Sequence, residues 1–186
     1  MAEDIVFSGE VAVITGAGGG LGRAYAHMLG ERGCRVVVND VGRPHGDNVP
    51  VAQSVVDELH AKGIEAIADS HNAISQSGAI IQTALEAFGG VDIVIDNAGI
   101  GAGSPIGPNS ADEWHETIDA TLQTSIAVTG AAWPHLVERG GGRIVVTGSP
   151  AMFGASTTIP YSATKSSMYG FARSIAAAGR RHGIVA

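Results

Sequence analysis

The chain has 186 residues, 45% hydrophobic and 16% charged, enough for one globular domain over residues 1–186 with a sizeable core and too little for two. Its 11 basic against 18 acidic side chains give a net charge of −7, and without a basic run this excludes the electrostatic footprint of a nucleic-acid binder. The single cysteine, Cys34, excludes an internal disulfide and a cysteine-based metal site, and the scattered histidines form no metal-ligand pair.

No stretch approaches the ~18 apolar residues of a membrane span, and the start Met1-Ala2-Glu3-Asp4 is acidic rather than signal-like. A reducing, cytoplasmic compartment is the expectation, without membrane partners.

In chain order, strand-length apolar runs alternate with helix-length amphipathic ones. Strands are expected at Val11 to Thr15, Arg35 to Asn39, Glu65 to Ala68, Val91 to Asp96 and Arg143 to Thr147. Helices are expected at Leu21 to Arg32, Val51 to Lys62, Ser77 to Phe88, Ala111 to Glu138 and Pro160 to His182. Gly33 and Gly63 stand where left-handed C-terminal caps belong, and Ser110 where a capping hydroxyl does. Alternation of this kind, with strands apolar on both faces, implies a Rossmann-like doubly wound α/β fold: a parallel sheet in a three-layer α/β/α sandwich.

The first strand runs into Thr15-Gly16-Ala17-Gly18-Gly19-Gly20-Leu21-Gly22 and then a helix. Gly16, Gly20 and Gly22 let backbone approach a pyrophosphate, whose charge meets the unpaired N–H groups at the helix start, Leu21 among them. Asp40 closes the second strand, where a carboxylate accepts hydrogen bonds from ribose hydroxyls and repels a 2′-phosphate. With Val41 next rather than a basic residue, NAD is expected over NADP. Asn97-Ala98-Gly99 ends the fourth strand, beside the first, where the order of such sheets reverses and small residues admit a dinucleotide. Tyr161 and Lys165 lie four residues apart on one helical face, and an ammonium beside a phenol favours phenolate, the form that can act as a base.

These motifs resemble the short-chain dehydrogenase/reductase family from about Phe7 to Ala186: its TGxxxGxG at Thr15 to Gly22, its NNAG at Asp96 to Gly99, and its YxxxK at Tyr161 and Lys165. The resemblance implies a nicotinamide-dependent oxidoreductase of alcohols and carbonyls in which Tyr161 exchanges the substrate proton as general acid/base. Lys165 would lower the Tyr161 pKa and bind the nicotinamide ribose, and Ser149 would hydrogen-bond the substrate oxygen. The family's serine stands one residue further from the tyrosine than Ser149 does; Thr147 is the second choice. Asn72 takes the place of a family Asp that meets the adenine amino group.

Three departures accompany the resemblance. Asp96 replaces the family's first asparagine, and Thr121 stands where the family has an asparagine that helps hold a relay water. The chain also stops at Gly183 to Ala186, where the family begins its sixth strand, so the expected sheet lacks the family's last strands and the substrate-loop region.

Around the cofactor the chain looks like the hydroxyacyl-CoA dehydrogenase part of peroxisomal multifunctional enzymes, which leaves 3-hydroxyacyl, cyclic and other secondary alcohols open as the small-molecule substrate. The alternative is a catalytically silent NAD-binding or assembly module. Surplus apolar residues on the last two long helices suggest a homo-oligomer, a dimer before a tetramer.

Overall fold

The computed structural model describes residues 5–42, 51–101 and 110–186. The acidic start and the Ser110 side chain, both part of the sequence expectations, lie outside the described residues.

Elements follow in the order β1 (Val11–Thr15), α1 (Gly20–Gly30), β2 (Arg35–Asn39), α2 (Val51–His60), β3 (Ala66–Asp69), α3 (Ser77–Phe88), β4 (Ile93–Asp96), α4 (Ser110–Ile118), α5 (Thr124–Glu138), β5 (Gly142–Val146), α6 (Ile159–Gly179) and β6 (Ile184–Val185). A π-helical segment, Asp119–Gln123, joins α4 to α5, and a short 3-10 turn, Pro150–Phe153, precedes α6.

All strand pairs are parallel, in the order β3-β2-β1-β4-β5-β6. The reversal between β1 and β4 opens the crevice in which such sheets bind ligands, beyond the strands' carboxyl ends.

Alternate side chains of each strand feed opposite cores, because the pleat has period two. Val13, Val37, Val94 and Ile144 pack beneath Ile80 of α3, Val128 and Leu136 of α5 and Ile175 of α6. Ala12, Ile14, Val36, Val38, Ile93 and Ile95 pack beneath Ala26 of α1 and Val55 and Leu59 of α2. Strands apolar on both faces are thus what a sheet covered on both sides demands. On the second face, Val145 of β5 and Val185 of β6 stay exposed.

Two expectations are corrected. The sheet is not limited to five strands: Gly183 adopts φ 71°, turning the chain back so that Ile184 pairs with Gly142 and buries its side chain. The long helix expected from Ala111 to Glu138 is not continuous, because the π segment interrupts it. There the Thr124 hydroxyl donates to the Asp119 carbonyl and that of Ser125 to the Thr121 carbonyl, side-chain bonds that compete with the regular backbone ladder. Gly33 and Gly63 do adopt left-handed φ values of 94° and 74°.

Candidate active site

The glycine turn bends tightly because Gly16 has φ 62°, and a Cβ there would stand 2.9 Å from the Ala98 Cα. Beyond it Gly19 caps α1 without any side-chain hydrogen bond, and the first turn of the helix carries no acidic residue. Among the described residues no side chain engages the N–H groups at that end, which suits an anion, and nothing crowds a Cβ at Gly19 or Gly20. This is the chemistry a pyrophosphate requires, and the residues present fit a dinucleotide.

Gly22 faces inward instead. A Cβ would fall 2.7 Å from the Asn97 Nδ2 and 2.8 Å from the Ala17 Cα. Gly22→Ala is expected to cost about 1–3 kcal/mol by overpacking and to weaken nucleotide binding, measured by denaturant unfolding and by calorimetric titration. A variant with unchanged stability and affinity would show that the turn tolerates displacement.

Asn97 connects the turn to the next strands. Its Nδ2 donates to the carbonyls of Thr15 and Gly16, both at 3.1 Å, and its Oδ1 accepts from the Thr147 hydroxyl at 3.3 Å. The Thr15 hydroxyl oxygen accepts from the Asn97 and Ala98 backbone N–H groups at 3.1 and 3.0 Å. Gly99 follows, where a Cβ would stand 2.9 Å from the Thr121 Oγ1. Thus the π segment lies directly against the Asn97-Ala98-Gly99 loop, and among the described residues the buried Thr121 hydroxyl has no partner. Sequence reasoning had singled out Asn97 but missed the Thr15 hydroxyl that anchors it.

From β5 the network reaches α6. Lys165 is buried, and its Nζ donates to the Thr147 carbonyl at 2.6 Å while lying 5.7 Å from the centre of the Tyr161 ring. Burial holds the Lys165 pKa below its ordinary value. Among the described residues no carboxylate forms an ion pair with it. Ser149 caps the 3-10 turn in extended conformation, its Oγ accepting from the Ala151 N–H at 3.2 Å, which leaves the hydroxyl proton available to another acceptor. The Ser166 hydroxyl on α6 donates to the Met152 carbonyl at 2.6 Å, tying this turn to the helix that carries Tyr161. Thr147 has its own hydroxyl turned to Asn97.

At the other side of the crevice, Asp40 accepts from the Gly18 and Gly42 N–H groups, one on each carboxylate oxygen, both at 2.9 Å. Asn72 lies in the loop after β3, where its Oδ1 accepts from the Ile74 N–H, the Ser75 N–H and the Ser75 hydroxyl.

A surface depression lies at the opposite, amino ends of the strands, lined by Glu10, Asp92, Arg139 and Arg143. Its charges are already paired, Arg139 with Asp92 and Arg143 with Glu10. It is remote from the crevice and offers no unengaged charge for chemistry.

A parallel sheet reversed at β1 and β4, a glycine turn opening α1 and a buried Lys beside a Tyr meet at the carboxyl ends of the strands. A family profile described as short chain dehydrogenase matches residues 10–186, and the chain belongs to that family. It is 39% identical over 183 residues to the peroxisomal multifunctional enzyme type 2 of Drosophila melanogaster, covering 96% of this chain and 30% of that protein. The chain therefore spans under a third of that relative.

Among solved structures, a short chain dehydrogenase from Mycobacterium avium superposes with TM-score 0.89 at 38% identity, over 96% of this chain and 66% of that one. A 7α-hydroxysteroid dehydrogenase complexed with NADH and 7-oxo glycochenodeoxycholic acid does so with TM-score 0.88 at 27% identity, over 96% of this chain and 69% of that one.

Among the described residues no helix is long and apolar enough to cross a membrane, and no acidic, histidine and cysteine cluster suits a metal.

Proposed function

We propose that the chain is an NAD-dependent oxidoreductase acting between a secondary alcohol and its ketone. The observation that carries this reading is Lys165, a buried amine that among the described residues has no carboxylate partner, anchored on the Thr147 carbonyl beside the Tyr161 ring. Nicotinamide, when bound, supplies the acceptor or donor of hydride.

Tyr161 exchanges the proton on the substrate oxygen, and the Ser149 hydroxyl donates to the same oxygen as charge develops there. Lys165, held beside the Tyr161 ring, meets the nicotinamide ribose. Gly16, Gly20, Leu21 and Gly22 hold the pyrophosphate against the α1 start, while Asn97, Ala98 and Gly99 floor the nicotinamide end. Asn72 shapes the loop at the adenosine end.

Asp40 selects NAD. Each of its oxygens has one lone pair engaged by the glycine turn and another available to a ribose hydroxyl, whereas a 2′-phosphate would meet a carboxylate. Wild-type protein is expected to bind NAD at least about tenfold more tightly than NADP, and Asp40→Ala to narrow that ratio; each tenfold step is about 1.4 kcal/mol. Tighter NADP binding by the wild type would remove the assignment.

Substrates to assay first are 3-hydroxyacyl thioesters and cyclic alcohols, the latter because the similar solved enzyme holds a bile-acid ketone. The primary experiment follows NADH absorbance with a panel of both, alongside NAD titration. Binding without turnover would select the silent module, a reading favoured by the Thr121 hydroxyl, which lacks a partner among the described residues and stands in place of the family's asparagine.

Exposed Ile126 on α5 and Tyr169 on α6 support a homo-dimer through these helices. Cys34 is buried, and burial pushes its thiol up to about 12, so it is an inert packing residue. We place the protein in a reducing compartment, the cytoplasm first, although the Drosophila relative is named peroxisomal.

A further inference from the structure

Beneath the crevice lies a carboxyl group that the proposed chemistry does not use. Asp96, the last residue of β4, is buried and stands immediately before the Asn97-Ala98-Gly99 loop. Its own carbonyl accepts from the Thr147 N–H at 3.0 Å, and the two residues after it donate their N–H groups to the Thr15 hydroxyl. The group is therefore fixed at the joint of β1, β4 and β5.

α5 and the π segment present hydroxyls to this joint. Thr129 donates to the Asp96 Oδ2 at 2.7 Å; one turn earlier the Ser125 hydroxyl donates to the Thr121 carbonyl, and the Thr121 hydroxyl lies against Gly99. All three side chains are buried, so an uncharged row runs from the carboxyl to the loop. The charged groups on the packed elements stand elsewhere. Asp92, just before β4, pairs with Arg139, and Arg143, near the start of β5, pairs with Glu10. His135 and Glu138 lie in the last turn of α5, and Asp119 of the π segment is exposed. On the crevice side are Tyr161 and Lys165 of α6, the latter held on the Thr147 carbonyl. Among the described residues no cationic side chain forms an ion pair with Asp96.

Burial pushes the Asp96 pKa up to about 7, with the Thr129 bond opposing, so near neutrality the group passes between an uncharged acid and a carboxylate. A charge placed here acts on its neighbours through a medium far less polar than water. The oxidised nicotinamide ring is a cation and the reduced ring is neutral, so the two forms of the dinucleotide differ by one unit charge.

We propose that Asp96 sets the preference of the site between oxidised and reduced dinucleotide, its buried carboxylate favouring the cationic ring of NAD over the neutral ring of NADH. This rests on the reading of the crevice as a dinucleotide site with Asn97, Ala98 and Gly99 at its nicotinamide end. Asp96 acts through its field and takes no part in the proton exchange at Tyr161. Linkage makes the effect reciprocal: NAD binding near neutrality drives a proton from the buried acid to solvent, and NADH binding does not.

The test reads binding, not turnover. NAD and NADH are titrated calorimetrically between about pH 5 and about pH 8, the window set by the raised pKa, into wild type, Asp96→Asn and Thr129→Val. Titrations near neutrality in two buffers of different ionisation enthalpy count the protons released, and thermal melts report folding. In wild type the ratio of NAD to NADH affinity is expected to rise about fivefold to tenfold across the window, the size of a coupling between two unit charges inside a protein. Asp96→Asn keeps Tyr161 and Lys165 but cannot ionise at this position, so its ratio should hold within about twofold. Thr129→Val removes the bond that stabilises the carboxylate, so its rise should move to higher pH.

A wild-type ratio that stays constant from about pH 5 to about pH 8 overturns the proposal while leaving the dinucleotide site intact. So does an Asp96→Asn variant that keeps the wild-type rise, or, should that variant not fold, a Thr129→Val variant whose rise is not displaced. A folded wild type that binds neither dinucleotide overturns the site reading and this proposal with it.

Discussion

Replacing Tyr161 by Phe is expected to lower kcat by about 10³-fold or more while leaving NAD affinity and thermal stability close to wild type. The substitution removes one oxygen and keeps the ring beside which Lys165 sits, 5.7 Å from its centre. A positioned proton donor or acceptor contributes typically about 10²–10⁴ in rate, and here the loss falls on the step in which charge develops on the substrate oxygen.

The corresponding test at Lys165 is less clean. Its ammonium also satisfies the Thr147 carbonyl inside the fold, so Lys165→Met would leave that acceptor without its donor and weaken the β5 to α6 junction as well as the chemistry. Tyr161→Phe isolates the chemistry. Steady-state assays with the most active alcohol found in the panel, paired with calorimetric NAD titration, read the two effects separately. Turnover within tenfold of wild type would assign the proton to another group.

How much of this was legible in the residues depends on the range of the forces that set each feature. Strands β1 and β2 follow the expected bounds because apolar runs such as Val36-Val37-Val38 end at glycines and polar residues, local signals that tertiary contacts reinforce. The glycine turn, Asp40, Asn97, Tyr161 and Lys165 were likewise visible as motifs. The structure joins the turn, Asn97, Thr147, Lys165 and the Tyr161 ring through one chain of contacts.

The interrupted helix was not legible. Apolar periodicity runs through Asp119–Gln123, and the π geometry depends on hydroxyl bonds of Thr124 and Ser125 that compete with the backbone. Nor does any short-range pattern reveal that Asp69 gathers Asn39, His71 and Thr83, since two of those partners come from other elements. The family resemblance supplied the roles of Ser149 and Thr121 because neither residue type nor spacing specifies them.

Asp96 shows the same limit with a measurable consequence. In the sequence it is a modest exchange for asparagine at the end of β4; in the fold it is 2% exposed, and its Oδ1 has no partner among the described residues. The Thr129 hydroxyl on α5 donates to its Oδ2 at 2.7 Å. Burial pushes the pKa up to about 7 from an ordinary 3.8, with Thr129 opposing.

An acid with a raised folded-state pKa binds its proton more tightly in the native protein than in the unfolded chain. Below about pH 4 the group is protonated in both states and costs nothing. As pH rises towards about 7 the unfolded state gains relative stability, and above that the cost is complete. A shift of this size corresponds to a few kcal/mol, about 2 to 3 of them developing between about pH 5 and about pH 8.

The expected result is that Asp96→Asn is more stable than wild type at about pH 8 and that its advantage shrinks towards about pH 5. Urea unfolding at the two pH values measures this. Groups whose surroundings the substitution leaves unchanged contribute equally to both proteins and cancel in the difference. Asp69, Glu31 and Glu58, all held below the ordinary carboxylate range, titrate at lower pH and do not intrude. The amide keeps an oxygen for the Thr129 hydroxyl but leaves its own N–H groups buried, a pH-independent cost that shifts both values together. The pH dependence of the difference therefore reports the carboxyl alone, and a difference that stays constant from about pH 5 to about pH 8 would show that Asp96 is not held protonated in the core.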